Sequence, residues 1–141
     1  MDPAVLESLR RVPQEEYARR ALKIVAKNRE RVPLDANTRP GQRKLADAIA
    51  RQEAAGLPVR IILVKSRRFG GSTWIQGEMM KRATTSPRRR ILTVAHRLDT
   101  AESLFLMGKR MWENLPANMQ PEGRFIQPMR GANGSAIAIR A

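Results

Sequence analysis

Apolar residues recur along the chain with two different spacings, and each spacing predicts a type of secondary structure. Apolar side chains three or four positions apart occur in four stretches without an internal proline. We expect these stretches to be helices: Gln14–Arg31, Gln42–Ala55, Ser72–Arg82 and Asp99–Asn114. Short runs of β-branched and aliphatic residues predict two buried strands, Pro58–Val64 and Arg90–Ala95.

Turn-forming residues divide this pattern. The stretch 32–41 is dense in such residues, so it is the best candidate for a boundary between two regions of the chain. It separates an N-terminal helical segment, residues 1–36, from a second region, residues 37–141. Near the other end, an Asn133-Gly134 step between short apolar segments predicts a closing β-hairpin.

The order strand, turn, helix, strand, turn, helix predicts the fold class. This alternation is typical of an α/β fold in which a parallel sheet is flanked by helices. Two tryptophans, Trp74 and Trp112, lie among apolar neighbours on the predicted helices. They could stack on nucleic-acid bases, but their surroundings favour a place in the core.

Composition narrows the classes of protein that fit. The 141 residues include 27 Lys and Arg against 13 Asp and Glu, for a net charge of +14. An apolar share of 42% suffices for a modest core. The excess of cations predicts a polyanionic partner, because each neutralised phosphate releases condensed counterions.

Two classes are excluded by what the sequence lacks. There is no cysteine, which rules out disulfide scaffolds and thiolate metal sites and favours a reducing, cytoplasmic setting. The longest aliphatic run, Ile61–Val64, has four residues, far short of the ~20 that span a bilayer. We therefore expect no membrane association.

The turn after the first predicted strand carries the candidate chemistry. It reads Lys65-Ser66-Arg67-Arg68-Phe69-Gly70-Gly71 and leads into a helix that opens with Ser72 and Thr73. A glycine-bearing turn between a strand and a helix can cradle phosphate, because backbone N–H groups and the helix N-terminus converge on the anion. A basic β–α turn without a ligand is the alternative.

This turn matches the phosphate-loop pattern G-x-x-x-x-G-K-[ST] in part. With Gly70 as the second glycine, Ser72 takes the position of the magnesium-binding hydroxyl. Gly71 then stands where the lysine belongs, and Lys65 stands where the first glycine belongs. The positive charge has moved to the beginning of the loop, where Arg67 and Arg68 reinforce it.

The segment Lys65–Thr73 closely resembles the deviant Walker A motif of the large subunit of viral terminases, the motors that package double-stranded DNA into phage capsids. In that family the lysine can stand at the beginning of the loop. Three further stretches resemble the same ATPases in the correct order, so the resemblance covers about residues 37–141. They are Arg39-Pro40-Gly41-Gln42, similar to an upstream glutamine motif; Ile91–Pro116, similar to the segment after the loop; and Asn133–Ile137, similar to a stretch shortly before the Walker B motif.

The resemblance implies a P-loop NTPase-like fold and a set of roles. The loop Lys65–Thr73 would bind ATP, Ser72 would ligate Mg²⁺ through its hydroxyl, and Gln42 would recognise the adenine edge. Lys65 and Arg67 would act on the γ-phosphate as catalytic groups. Implied partners are double-stranded DNA, a portal protein and a small terminase subunit, with a homo-oligomeric motor in the host-cell cytoplasm.

Two features of the family are missing from the sequence. A Walker B motif needs an apolar strand that ends in an acid, and no Asp or Glu here follows four apolar residues. We also expect the nuclease domain of the family to lie outside these 141 residues. We expect the chain to be the amino-terminal part of a longer ATPase, incomplete at its carboxyl end, that binds nucleotide and hardly turns it over.

A basic run, Arg88-Arg89-Arg90, precedes the second predicted strand. It is a candidate contact for DNA phosphates, and a solvated turn is the alternative. More broadly, the chain could be a non-enzymatic basic nucleic-acid-binding domain whose glycine turn holds DNA phosphate instead of nucleotide.

Overall fold

Helices and two small sheets alternate along the chain in the computed structural model, which describes residues 3–25, 30–35, 39–66, 69–117, 129–130 and 134–141. These residues form a mixed helix and strand arrangement. Its helices are α1 (Pro3–Arg11), α2 (Gln14–Ala21), α3 (Pro40–Ala54), α4 (Gly71–Thr85) and α5 (Leu98–Glu113). Its strands are β1 (Lys23–Val25), β2 (Arg31–Pro33), β3 (Arg90–Val94), β4 (Met129–Arg130) and β5 (Ala136–Arg140).

The first predicted helix, Gln14–Arg31, is wrong beyond Ala21. Leu22 is extended, with φ −101° and ψ 131°, and β1 then pairs antiparallel with β2. Residues 26–29 lie outside the described residues. Consecutive β-branched residues, Ile24 and Val25, favour the strand, because a helix restricts their χ1 angle.

The other three predicted helices are confirmed with small shifts of their ends. Helix α3 begins at Pro40, because proline suits the first turn of a helix, where its missing N–H costs nothing. Helix α4 continues to Thr85, past the predicted end. Thr84 and Thr85 donate their hydroxyls to the carbonyls of Met80 and Lys81, at 2.8 and 2.7 Å.

The three-stranded sheet has the order β3-β5-β4. Strand β3 pairs parallel with β5, from Arg90 opposite Ala136 to Val94 opposite Arg140. Strands β4 and β5 are antiparallel, as the predicted hairpin requires; Gly134 has φ +78°, and Asn133 lies outside the described residues. The order β3, α5, β5 therefore links two parallel strands through a helix.

The predicted strand Pro58–Val64 is not a strand in the structure. No other described segment pairs with it in a ladder, and its side chains alternate in exposure. Ile62 and Val64 are 94% and 93% exposed, whereas Leu63 packs against the core. The segment keeps a two-residue alternation without a partner strand.

Helix α4 runs through the core. Trp74 and Met80 on this helix are fully buried together with Tyr17 and Leu22 from the N-terminal region and Met111 from α5. The Tyr17 hydroxyl lies 2.7 Å from Thr84 Oγ1. Lys81 Nζ donates to the carbonyl of Val12 at 2.6 Å. These contacts join the α1–α2 region to the helix that follows the glycine turn.

Both tryptophans are core residues, as their neighbours predicted; Trp74 and Trp112 are 2% and 5% exposed. None of the helices in the described residues is long and apolar enough to cross a membrane.

Candidate phosphate-binding site

The glycine turn opens α4 with a backbone shape that suits an anion. Gly70 has φ +78° and ψ 11°, the left-handed conformation that an L side chain rarely adopts. The first helical residue is Gly71; among the described residues, no side chain caps this end of α4, and its first turn contains no acid. The N–H groups and the positive end of the helix dipole are therefore available to a negatively charged group.

Lys65 lies against the start of this helix. A Cβ on Gly71 would be 3.0 Å from Lys65 Cδ and 3.0 Å from Phe69 Cδ1. The stem of Lys65 thus occupies space beside the position where the standard motif has its own lysine. A side chain at position 71 would require the Lys65 stem or the Phe69 ring to shift by a few tenths of an ångström.

The glutamine motif packs directly on the loop. The ring of Phe69 lies where a Cβ on Gly41 would be, so this contact requires glycine at position 41. A Cβ on Gly70 would lie 3.0 Å from Gln42 Nε2 and 3.6 Å from Arg39 Nη1. Residues 39–42 and 69–70, separated by 26 intervening positions in the sequence, therefore form one wall.

The Gln42 side chain has an unused acceptor. Gln42 is 6% exposed, and its Oε1 has no hydrogen-bond partner within the described residues. A buried carbonyl oxygen without a donor costs about 1–3 kcal/mol. A ligand with an N–H or O–H donor would remove that cost.

The remaining predicted loop residues differ in what the structure shows of them. Ser66 and Ser72 are exposed and Thr73 is half-buried. Arg67 and Arg68 lie outside the described residues. The loop residues that the structure describes thus leave two serine hydroxyls open to a ligand.

The described residues supply one of the oxygen ligands that the implied magnesium ion would need. Ser72 Oγ is a suitable hard oxygen ligand at the second position of α4. Within the described residues there is no group of three or more His, Cys, Asp or Glu side chains that could hold a metal. Such a Mg²⁺ would be held by Ser72 together with the phosphates of the ligand.

The predicted DNA-contact residues lie beyond the other end of α4, where an exposed turn leads into Arg90, the first residue of β3. Arg88, Arg89 and Arg90 are exposed, and Arg88 has φ 57°. The buried Ser135 hydroxyl accepts from Arg89 N and donates to Ser86 O, both at 3.0 Å. The three guanidinium groups project from a fixed backbone and make no ion pair with a described carboxylate.

One feature of the site was missed by reasoning from sequence. Strand β1 and helix α5 flank a groove that reaches Thr73 in the first turn of α4, and Lys23 and Arg110 line it. The β-branched pair Ile24-Val25 was the available signal for the strand, but the surrounding helical spacing outweighed it.

In comparisons with known proteins, no family model and no curated protein matches this chain.

Proposed function

We propose that residues 39–73 form a nucleotide site that binds ATP with Mg²⁺. On this proposal the chain is part of a terminase large subunit, with a P-loop NTPase-like parallel sheet. The full motor would couple ATP hydrolysis to the movement of double-stranded DNA into a procapsid. Its partners would be DNA, a portal protein, a small terminase subunit and further copies of itself, in the host-cell cytoplasm.

One observation carries this proposal: the contact between the glutamine motif and the glycine turn. The resemblance assigns both stretches to one nucleotide site, and Gly41 packs on Phe69 while Gln42 packs beside Gly70. The buried acceptor of Gln42, which has no donor within the described residues, is the part of this arrangement that calls for a ligand. The arrangement supports a phosphate cradle with a polar side wall.

Each residue then has a proposed role. The N–H groups at the start of α4 bind phosphate oxygens, and the Lys65 ammonium neutralises their charge. Arg67 acts with Lys65 on the terminal phosphate. Ser72 contributes its hydroxyl to Mg²⁺, and Gln42 contacts the nucleotide through its buried amide.

A titration of the chain with ATP, with and without Mg²⁺, tests the site. Lys65→Ala should weaken binding roughly 10- to 100-fold, because a charge-assisted contact contributes about 1.5–3 kcal/mol. The matched control is Lys44→Ala, which removes the same charge from an exposed position. Lys44 is two positions after Gln42 on α3, about 200° around the helix axis, so it lies on nearly the opposite side of the helix.

Equal affinities in the Lys65→Ala variant, the Lys44→Ala variant and the parent chain would overturn the phosphate cradle. Circular dichroism of each variant before titration separates lost binding from lost folding. The Lys65 side chain is exposed, so its truncation should leave the fold intact.

A non-enzymatic DNA-binding domain is the second candidate, and the exposed basic run Arg88–Arg90 favours it. Duplex DNA should bind with a slope of log K against log salt of about −0.9 per phosphate neutralised. Competition distinguishes the two candidates. If DNA displaces ATP completely and Lys65→Ala weakens DNA and ATP equally, the glycine turn is a DNA-phosphate site; independent binding favours a separate nucleotide site.

A further inference from the structure

Strand β1 and helix α5 form the two walls of a groove of about 350 Å³, the β1–α5 groove. Lys23 lies on the strand wall and Arg110 on the helix wall. Both side chains are exposed, and neither pairs with a carboxylate of a described residue. No Asp or Glu occurs among the described residues that line the groove. Two positive charges are therefore left there without a carboxylate to balance them.

A third cation lies near the Arg110 end of the groove. Arg31, on the strand paired with β1, donates through Nη1 to Asn114 Oδ1 at 3.1 Å. Asn114 Nδ2 in turn donates to the carbonyl oxygen of Arg110 at 2.6 Å. This amide links the hairpin to the end of α5 without neutralising either guanidinium. The charged walls of the groove are thus held in place before any ligand binds.

Helix α5 presents one continuous stripe of side chains to the groove. Ser103, Leu106, Met107 and Arg110 follow the three- and four-residue spacing of a single helix face. The seven positions from Ser103 to Arg110 cover about 10.5 Å of helix axis. Three steps along one strand of a DNA duplex cover about the same length, at ~3.4 Å each. The helix wall is therefore long enough to follow a nucleic-acid backbone past two or three phosphates.

The lining combines the groups with which proteins contact a sugar–phosphate backbone. Lysine and arginine neutralise phosphates, and the hydroxyls of Ser103 and Thr73 are donors for phosphate oxygens. Leu106 and Met107 supply an apolar surface between the charges, against which deoxyribose carbons can pack. None of the described lining residues is aromatic, so the groove offers no ring on which a base could stack. This combination favours contacts with the backbone and not with the bases.

We propose that the β1–α5 groove binds the sugar–phosphate backbone of duplex DNA, with Lys23, Arg31 and Arg110 in contact with phosphates. The inference rests on the proposed function only in that DNA is a partner, and it assigns a surface to that partner. An acidic protein segment is the competing occupant. The net charge of +14 favours a long polyanion instead, because DNA gains affinity from every phosphate that the chain neutralises.

The salt dependence of DNA binding tests the contacts. The double variant Lys23→Ala, Arg110→Ala should weaken binding of a 20-base-pair duplex roughly 10- to 100-fold. It should also make the slope of log K against log salt shallower by about 1.8, since two phosphates are no longer neutralised. The matched control is Lys44→Ala, Arg51→Ala, which removes the same charge from exposed positions on α3. Equal changes in the two double variants would overturn the proposal.

A second pair of variants keeps all three cations. Leu106→Glu places a carboxylate in the groove, where the parent side chain is 47% exposed. Leu98→Glu places one on the same helix, at a position that is 67% exposed and does not line the groove. Leu106→Glu should weaken DNA binding several-fold more than Leu98→Glu, because its charge repels phosphate. Equal effects would contradict a DNA backbone in the groove.

The position of bound DNA can be measured directly, because the chain has no cysteine and one introduced thiol is a unique label. Ser103→Cys carrying an iron chelate should cleave the bound duplex. Ala54→Cys, at an exposed position on α3, should cleave it much less. Cleavage that is as strong from position 54 as from position 103 would place the DNA elsewhere and overturn the proposal.

The outcomes separate this inference from the proposed function. Circular dichroism of each variant identifies any loss of folding. If the parent chain binds duplex DNA and the groove variants behave like their controls, only the groove proposal fails. If the parent chain does not bind duplex DNA, DNA as a partner fails with it. If the groove variants weaken binding of an oligoglutamate peptide and leave DNA binding unchanged, the groove takes an acidic protein segment and the proposal is overturned.

Discussion

Two segments of this chain have the same apolar, β-branched character and different structures. Arg90–Val94 is strand β3 and pairs along its length with β5. Pro58–Val64 has no ladder partner in the described part of the chain, and Ile62 and Val64 are almost fully exposed. A run of β-branched residues favours an extended backbone, but a strand also needs a second backbone at about 4.8 Å. The pattern therefore identifies a segment that is able to pair, and the presence of a partner strand decides whether it forms a ladder.

The largest expected effect comes from truncating matched isoleucines. Ile137 on β5 is 4% exposed and packs in the core, whereas Ile62 is 94% exposed. Ile137→Ala should lower the free energy of unfolding by about 2–5 kcal/mol, through lost burial and a residual cavity. Ile62→Ala should change it by less than ~0.5 kcal/mol. Urea unfolding of both variants measures the difference, and equal losses of stability would contradict the distinction between the two segments.

A smaller effect is expected from proline at a paired and an unpaired backbone position. Ala136 N donates to the carbonyl of Arg89 at 2.7 Å. Ala136→Pro removes this donor, so we expect a loss of about 1–3 kcal/mol. Ile62→Pro removes an N–H that bonds to no described backbone group, and its cost should be much lower. Thermal unfolding of the two variants would contradict the distinction if Ile62→Pro were the more harmful.

The smallest effect on stability is expected from charging the unpaired segment. The double variant Ile62→Lys, Val64→Lys should keep its free energy of unfolding within ~0.5 kcal/mol of the parent. Because exposed apolar edges promote association, the variant should also self-associate less. The control is Leu92→Lys, which adds a charge at a position that is 61% exposed on the paired strand β3. Sedimentation velocity measures association, and a partly unfolded double variant would show that the segment is packed after all.

Local signals predicted most of the helices and one of the two proposed strands. Helices α3, α4 and α5 combine apolar spacing with proline or glycine near an end, and both signals act within a few residues. The Gln14–Arg31 prediction was wrong beyond Ala21 because the extended state of Leu22 depends on the pairing of β1 with β2. The paired residues are six to ten positions apart in the sequence, and helical spacing does not report such a hairpin.

The candidate site shows the same limit. The sequence indicated which residues surround the loop, because glycines, hydroxyls and cations have recognisable spacing there. Its spacing did not indicate that the Phe69 ring would pack on Gly41 or that the Lys65 stem would pack beside Gly71. The groove beside Thr73 was not predicted either, because β1 lines it and a helix was predicted there.

The length of helix α4 sets the distance between the glycine turn and the exposed arginines. The helix contains 15 residues, so its axis is about 22 Å long. The glycine turn precedes its N-terminal end, and Ser86 and the basic run Arg88–Arg90 follow its C-terminal end. Because Trp74 and Met80 are buried in the core, α4 is a rigid spacer. An anion bound at the glycine turn would therefore lie about 22 Å from the arginines that follow Ser86.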